Sequence, residues 1–105
     1  MDDPFATIGA VIAASLEGTD WTSAWLSAAI IDRGVLQSMQ AYSDGRDATE
    51  REFDLIDPTG VMRAVEFLHA SMVAQGFPRW TGIVFRLSPS GEFKVEYSYG
   101  PPPPL

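Results

Sequence analysis

The chain has 105 residues, of which 46% are hydrophobic and 20% charged, and it contains no cysteine. This composition predicts a single soluble globular domain and excludes disulfides and thiolate metal sites. Fourteen acidic residues against seven Lys and Arg give a net charge of −7, which argues against nucleic acid and anionic membranes as partners. No apolar run reaches the roughly 18 residues that span a bilayer, and we expect a cytoplasmic protein.

The first predicted element is a helix over residues 4–17. Asp3 is a suitable N-cap, and Pro4 fits the first helical position because its missing N–H would have no partner there. Apolar residues then recur at helical spacing, and Gly18 is placed to end the helix in a left-handed conformation.

A β-hairpin is predicted next, with strands over residues 21–31 and 35–42 and a turn at Asp32-Arg33-Gly34. The apolar alternation of the first strand is irregular. Trp21 and Trp25 share one parity, whereas Leu26 has the other. Either both faces of the strand are covered or a β-bulge intervenes, and the sequence leaves both alternatives open.

An acidic segment follows, predicted as a polar loop over residues 43–51 and a short strand over 52–56. From residue 44 to residue 57 there are six acidic residues and two arginines. This charge either keeps a solvated surface soluble or contacts a protein partner with a basic surface. The acidic partner-binding candidates are Asp44, Asp47, Glu50, Glu52 and Asp54.

A second helix is predicted to begin at Asp57-Pro58, which repeats the cap-and-proline signal of the first helix. Its apolar stripe recurs every three to four residues, and Gly76 ends it.

The last predicted element is a hairpin over residues 80–99. The turn Ser88-Pro89-Ser90-Gly91 suits a type I turn with a glycine bulge, and it pairs Leu87 with Phe93. In this register the apolar residues of both strands share one face. Trp80 has the opposite parity, and we expect it to be an apolar anchor for a partner if the fold leaves that face uncovered.

The predicted fold class is α+β, with two helices packed on a mostly antiparallel sheet of four to five strands in the order α-β-β-(β)-α-β-β. Residues 1–99 are expected to form one domain. Residues 100–105 read Gly-Pro-Pro-Pro-Pro-Leu and are expected to form an extended polyproline tail.

The sequence offers little for catalysis, and we predict that the protein is not an enzyme and has no catalytic residue. His69 is the one histidine, and Glu66 is the one helical neighbour able to orient it, so we expect a structural role. Asp44-Gly45-Arg46-Asp47 matches only part of a calcium-binding loop and lacks the glutamate at the twelfth position. No metal or cofactor is predicted.

The last two strands carry an aromatic pattern that extends over about twenty residues. It reads Trp80-Thr81-x-Ile83-x-Phe85-x-Leu87, then Gly91-x-Phe93-x-Val95-x-Tyr97-x-Tyr99. This pattern resembles the closing hairpin of YezG-like immunity proteins, and the order of elements is compatible with that family over nearly the whole chain. The resemblance implies an antitoxin that neutralises a cognate toxin of a bacterial polymorphic toxin system. In that family acidic residues tend to follow Tyr-x-Tyr, whereas Gly100 and prolines follow here, so no toxin contact is carried over from the family's acidic end.

The partner is then expected to be a toxin domain, and a nuclease with a basic cleft suits the acidic segment. A competing class is the type III secretion chaperone, which is also small and acidic and binds an effector segment as a dimer. Such chaperones usually have a further helix after the last strand, whereas this chain has prolines there. The sequence leaves open whether this chain forms a homodimer.

Overall fold

The computed structural model describes residues 3–31 and 34–100. Two predicted features lie at least partly outside these residues. They are positions 32 and 33 of the first hairpin turn and positions 101–105 of the proline-rich tail.

The described residues form two helices and a five-stranded sheet in which every pair of neighbouring strands is antiparallel. The elements in chain order are α1 (Pro4–Ser15), β1 (Trp21–Ile31), β2 (Val35–Gly45), β3 (Glu50–Glu52), α2 (Pro58–Ala74), β4 (Gly82–Leu87) and β5 (Phe93–Ser98). The strand order across the sheet is β3-β2-β1-β4-β5. The predicted α+β class and order of elements are confirmed.

Both helices begin at the predicted aspartate–proline pairs. The Asp3 carboxylate accepts hydrogen bonds from the backbone N–H groups of Phe5 and Ala6, and Asp57 accepts one from Gly60. These bonds satisfy N–H groups that have no partner within the helix. α1 ends two residues earlier than predicted, and Gly18 lies beyond it with the expected positive φ of 82°.

The helices lie together on one face of the sheet, called here the inner face, and the main core is between the layers. Ile8 and Ile12 of α1 and Val65 of α2 pack there with Leu26 of β1 and Phe85 of β4. Leu26 faces Phe85 across the β1–β4 ladder, so the inner residues of the central strands form one apolar surface. The opposite face, the outer face, is covered by neither of these two helices.

A β-bulge explains the irregular alternation of β1. Trp21 pairs with Gly45 whereas Ser23 pairs with Asp44, so Thr22 is an extra residue in β1. The bulge reverses the parity of the strand. Trp21 therefore packs against the core, whereas Trp25 lies on the outer face, and of the two alternatives the bulge is correct.

The closing hairpin has the predicted register. Leu87 pairs with Phe93, Phe85 with Val95 and, further along, Ile83 with Tyr97. The backbone N–H of Gly91 donates to the carbonyl oxygen of Ser88 at 3.0 Å, and Gly91 has a φ of 94°. A side chain at this position would be strained, which is why glycine suits the turn.

The predicted boundaries around the acidic segment are wrong. β2 continues to Gly45, and β3 spans Glu50–Glu52 in place of residues 52–56. The end of β2 is ordered by its pairing with β3, in which Tyr42 faces Glu52 and Asp44 faces Glu50. This cross-strand pairing overrides the polar composition, which on its own predicts a loop.

Candidate functional site

The candidate site is the edge of the outer face at β2 and β3. Asp44 lies opposite Glu50, and Glu52 is on the same face two residues along β3, because side chains alternate along a strand. We call Asp44, Glu50 and Glu52 the acidic edge. Three of the five predicted acidic candidates are thus brought together on one surface by a strand that extends beyond the predicted loop.

The carboxylates of the acidic edge are open to a partner. Glu50 and Glu52 are exposed and Asp44 is half-buried, and the Asp44 carboxylate accepts a hydrogen bond of 2.9 Å from the Thr22 hydroxyl. The described residues form two ion pairs, and neither of them includes any of these three acids. Like charges placed directly opposite each other destabilise a sheet. Basic groups of a partner would relieve this repulsion.

Asp47 is placed differently, because it is engaged within the β2–β3 loop. Its carboxylate accepts a hydrogen bond from the Thr49 backbone N–H at 3.1 Å and one from the Arg51 guanidinium at 2.8 Å. The Thr49 backbone bond, with the Arg51 charge, lowers the pKa of Asp47 below its usual value. Asp47 therefore holds the loop, and its charge is largely balanced within the chain.

Asp54 follows β3 and is exposed. With Glu52 it borders a shallow cavity of about 320 Å³, which also touches Gln40, Leu55 and Pro58. Asp54 thus extends the acidic edge toward the start of α2 without belonging to the strand.

An aromatic pair lies beside the acidic edge, and sequence reasoning did not identify it as part of a site. Trp25 and Tyr42 are cross-strand partners with ring centroids 6.1 Å apart, and the Arg86 guanidinium lies 5.6 Å from the Trp25 ring centroid. Tyr42 is opposite Glu52 on its other side. Trp21 and Trp25 have the same parity in the sequence, which predicts one face for both. Because of the bulge at Thr22, Trp21 is on the inner face, and Trp25 lies on the outer face with Tyr42.

The expectation that Trp80 is an exposed apolar anchor is wrong. Its side chain is 0% exposed and lies in the core, 4.8 Å from the His69 ring centroid and 5.3 Å from that of Tyr97. Trp80 precedes β4, which begins at Gly82. Outside the strand, side-chain alternation does not set its direction.

His69 is a core residue, only 3% exposed. Burial, as the largest cause, lowers its pKa below the usual 6.5. Glu66 does not orient it by a hydrogen bond in the described structure. The Glu66 carboxylate instead accepts the backbone N–H of Leu36 at 2.8 Å, which ties α2 to β2. This arrangement is consistent with the structural role that the sequence predicts for His69.

A second concave surface lies between α1 and the turn of the closing hairpin. It is a groove of about 330 Å³. Ala6, Gly9 and Ala10 of α1 form one wall, and Trp21 and Phe93 are among the apolar residues of the rest. The small side chains of α1 leave the groove open, and most of the residues that line it are apolar.

Residues 3–31 and 34–100 contain no group of three or more His, Cys, Asp or Glu placed to hold a metal ion. Over the same ranges, neither helix has the length and apolar character required to cross a bilayer.

Comparison of the sequence with protein-family models and with curated proteins gives no match. The resemblance of the closing hairpin to YezG-like immunity proteins therefore stays a prediction.

Proposed function

We propose that this chain is a non-enzymatic bacterial immunity protein that binds a cognate toxin domain and occludes its active site. The observation that carries the proposal is the acidic edge, in which Asp44, Glu50 and Glu52 lie side by side on the sheet face that neither described helix covers. The chemistry of the partner follows from the charge of this edge. A toxin with a basic cleft, such as a nuclease, presents the complementary surface.

Electrostatics supports rapid binding of such a partner. The chain carries a net charge of −7, and the acidic edge concentrates negative charge that the described residues do not pair. Complementary potentials raise association rates and exclude partners of the wrong sign. A nuclease cleft that binds phosphates would bind these carboxylates in their place.

The aromatic pair supplies the apolar part of the proposed interface. Trp25 and Tyr42 are half-buried on the outer face next to Glu52. Aromatic residues frequently dominate binding energy when the contacts around them exclude water. The proposed contact therefore places the carboxylates on the basic cleft and the two rings against its rim.

The resemblance of the hairpin over residues 80–99 supports the same role independently of charge. The structure gives the aromatic residues of that hairpin a core function, since Phe85 is buried and Tyr97 is partly buried against the core. In this protein the hairpin thus holds the sheet together, and we place the partner contact on the strands at the opposite edge.

A second candidate function is a chaperone that binds an extended effector segment. The apolar groove beside α1 favours it, because a groove of about 330 Å³ walled by small residues accepts side chains of a bound peptide. In this case the partner would contact Phe93 and Ala10 rather than the acidic edge.

The test is affinity capture from the native bacterium with three baits, followed by mass spectrometry at low and moderate salt. One bait is the unaltered chain, and one is Glu50→Gln/Glu52→Gln, which removes two charges of the acidic edge. The matched control is Glu17→Gln/Glu92→Gln, which removes two exposed acids elsewhere. All four sites are exposed, so both variants are expected to fold.

We expect the unaltered chain and the control to capture one protein that has a toxic domain, in a salt-sensitive manner. The Glu50→Gln/Glu52→Gln variant should bind that domain about 2- to 30-fold more weakly, the effect of losing two exposed ion pairs. Equal binding by all three baits would contradict the role of the acidic edge. If the captured protein is instead a secreted effector, binding is measured again with a further variant, Ala10→Trp, which fills the groove beside α1. Loss of effector binding in this variant would support the chaperone function.

A further inference from the structure

We propose that β5 pairs with β5 of a second copy of this chain, so that two five-stranded sheets join into one. β5 is the last strand in the sheet order, and β4 is its partner among the described strands. It spans six residues, Phe93–Ser98, twice the length of β3 at the other edge. The strand leaves a row of backbone N–H and C=O groups available for pairing with another strand. This inference does not rest on the proposed function.

The hydrogen-bond pattern of the closing hairpin identifies the available groups. The backbone N–H of Ser88 donates to the carbonyl oxygen of Glu92 at 2.9 Å, so residue 92 directs its backbone groups toward β4. Because this direction alternates along an antiparallel ladder, residues 94 and 96 also bond to β4. The backbone groups of Phe93, Val95 and Tyr97 therefore point to the free edge.

A two-fold pairing centred on Val95 matches these groups. Val95 faces Val95 of the second copy, and Phe93 faces Tyr97, so that each outward-pointing residue meets another. Lys94 then lies opposite Glu96 of the second copy, and Glu96 lies opposite Lys94. These two are non-hydrogen-bonded pairs, in which the side chains of an antiparallel ladder are closest. Both pairs of opposite charges lie on the outer face.

The neighbouring registers that keep the backbone pairing are disfavoured by charge. Moving the second strand by two residues in one direction places Lys94 opposite Lys94, and moving it in the other direction places Glu96 opposite Glu96. Like charges directly opposite each other destabilise a sheet. The charges of β5 therefore favour one register of self-pairing and oppose the two adjacent ones.

The environment of Lys94 within one copy supports the same conclusion. Lys94 lies opposite Arg86 in the β4–β5 ladder, which places two cations side by side. Among the described residues neither Lys94 nor Glu96 belongs to an ion pair. Pairing of two copies gives each of them a partner of opposite charge.

The apolar side of β5 is also left incomplete in one copy. Phe93 is 48% exposed although it stacks on Phe85 and Phe5, with centroids 5.2 and 5.5 Å away. Tyr97 of the second copy would lie directly beside it on the inner face. Aromatic cross-strand pairs of this kind stabilise antiparallel sheets. The interface is one pair of strands, so we expect reversible dimerisation.

The test uses two single charge reversals, Lys94→Glu and Glu96→Lys, studied by sedimentation velocity up to about 1 mM protein. The unaltered chain should show a concentration-dependent rise toward twice its mass of 11.5 kDa. Each single variant should dimerise at least about tenfold more weakly, because both cross-copy pairs become repulsive. A mixture of the two variants should form a heterodimer, since each Glu then faces a Lys.

Circular dichroism of each variant provides the folding control, and unfolded variants would be replaced by Lys94→Gln and Glu96→Gln. A chain that sediments as a monomer throughout the concentration range would overturn the proposal. So would a mixture of the two variants that associates no better than either alone. If the chain is monomeric but β5 accepts a strand from a captured protein, the edge binds that partner and the self-pairing is wrong.

Discussion

At the scale of single residues, burial decides the roles of the one histidine and of the tryptophan that the sequence predicts as an apolar anchor. His69 and Trp80 pack against each other in the core. Their burial gives both side chains a role in the stability of the fold.

The first prediction concerns the pH dependence of folding. Burial lowers the pKa of His69 in the folded state below its usual 6.5, so the unfolded chain binds a proton more readily. The associated stability is present above pH 6.5 and is lost as pH falls below it through the folded-state pKa. Urea unfolding between pH 7.5 and 5 should show a decreasing free energy, and the slope should be smaller for His69→Phe. Equal slopes for the two proteins would contradict this account.

The second prediction compares two tryptophans on opposite sides of the sheet. Trp80→Ala should destabilise the fold by about 3–5 kcal/mol, because it leaves a cavity in the core. Trp25→Ala, on the half-exposed outer face, should cost about 1 kcal/mol. Urea unfolding followed by circular dichroism measures both values. A larger loss for Trp25→Ala would place the core on the wrong face of the sheet.

At the scale of elements, the sequence predicted those structures whose determinants lie within a few neighbouring residues. The Asp-Pro caps begin both helices, and the turn at Ser88-Pro89-Ser90-Gly91 sets the register of the closing hairpin. These features depend on local hydrogen bonds and on allowed φ angles.

The elements that were placed incorrectly depend on contacts between distant residues. The strand Glu50–Glu52 exists because it pairs with β2, and three polar residues carry no strand signal of their own. The bulge at Thr22 similarly depends on how β1 aligns with β2. The sequence predicts Asp44, Glu50 and Glu52 as separate candidates, and their alignment on one face follows only from the pairing of the two strands.

The third prediction compares a glycine-to-alanine substitution in the closing hairpin with one in α1. Gly91→Ala should destabilise the protein by about 1 kcal/mol, since Gly91 has a φ of 94° that an L-residue rarely adopts. Gly9→Ala in α1 should stabilise it by about 0.5–1 kcal/mol, because alanine is the better helix former. The added Cβ would lie 3.8 Å from the Phe85 ring, an ordinary contact. Thermal unfolding of the two variants should therefore shift in opposite directions, and shifts of the same sign would contradict the account.

At the scale of the whole molecule, the two edges of the sheet have different properties. The β3 edge is short and acidic, with Asp44, Glu50 and Glu52 on its outer face. The β5 edge is longer and carries both signs of charge in Lys94 and Glu96. In the proposed dimer the β5 edges meet at the centre, and the two acidic edges lie at opposite ends of the joined sheet. Toxin binding and self-pairing would then use separate surfaces, so that one does not block the other.

We propose that the acidic edge neutralises a toxin, and growth rescue measures this neutralisation in cells. The toxic domain of the captured partner is expressed in cells together with the unaltered chain, Glu50→Gln/Glu52→Gln or the control Glu17→Gln/Glu92→Gln, at matched protein levels. We expect the unaltered chain and the control to restore growth, and the acidic-edge variant to require a higher level of expression for the same rescue. Failure of the unaltered chain to restore growth would contradict the immunity function. Equal rescue by all three at the lowest effective level would contradict the role of the acidic edge.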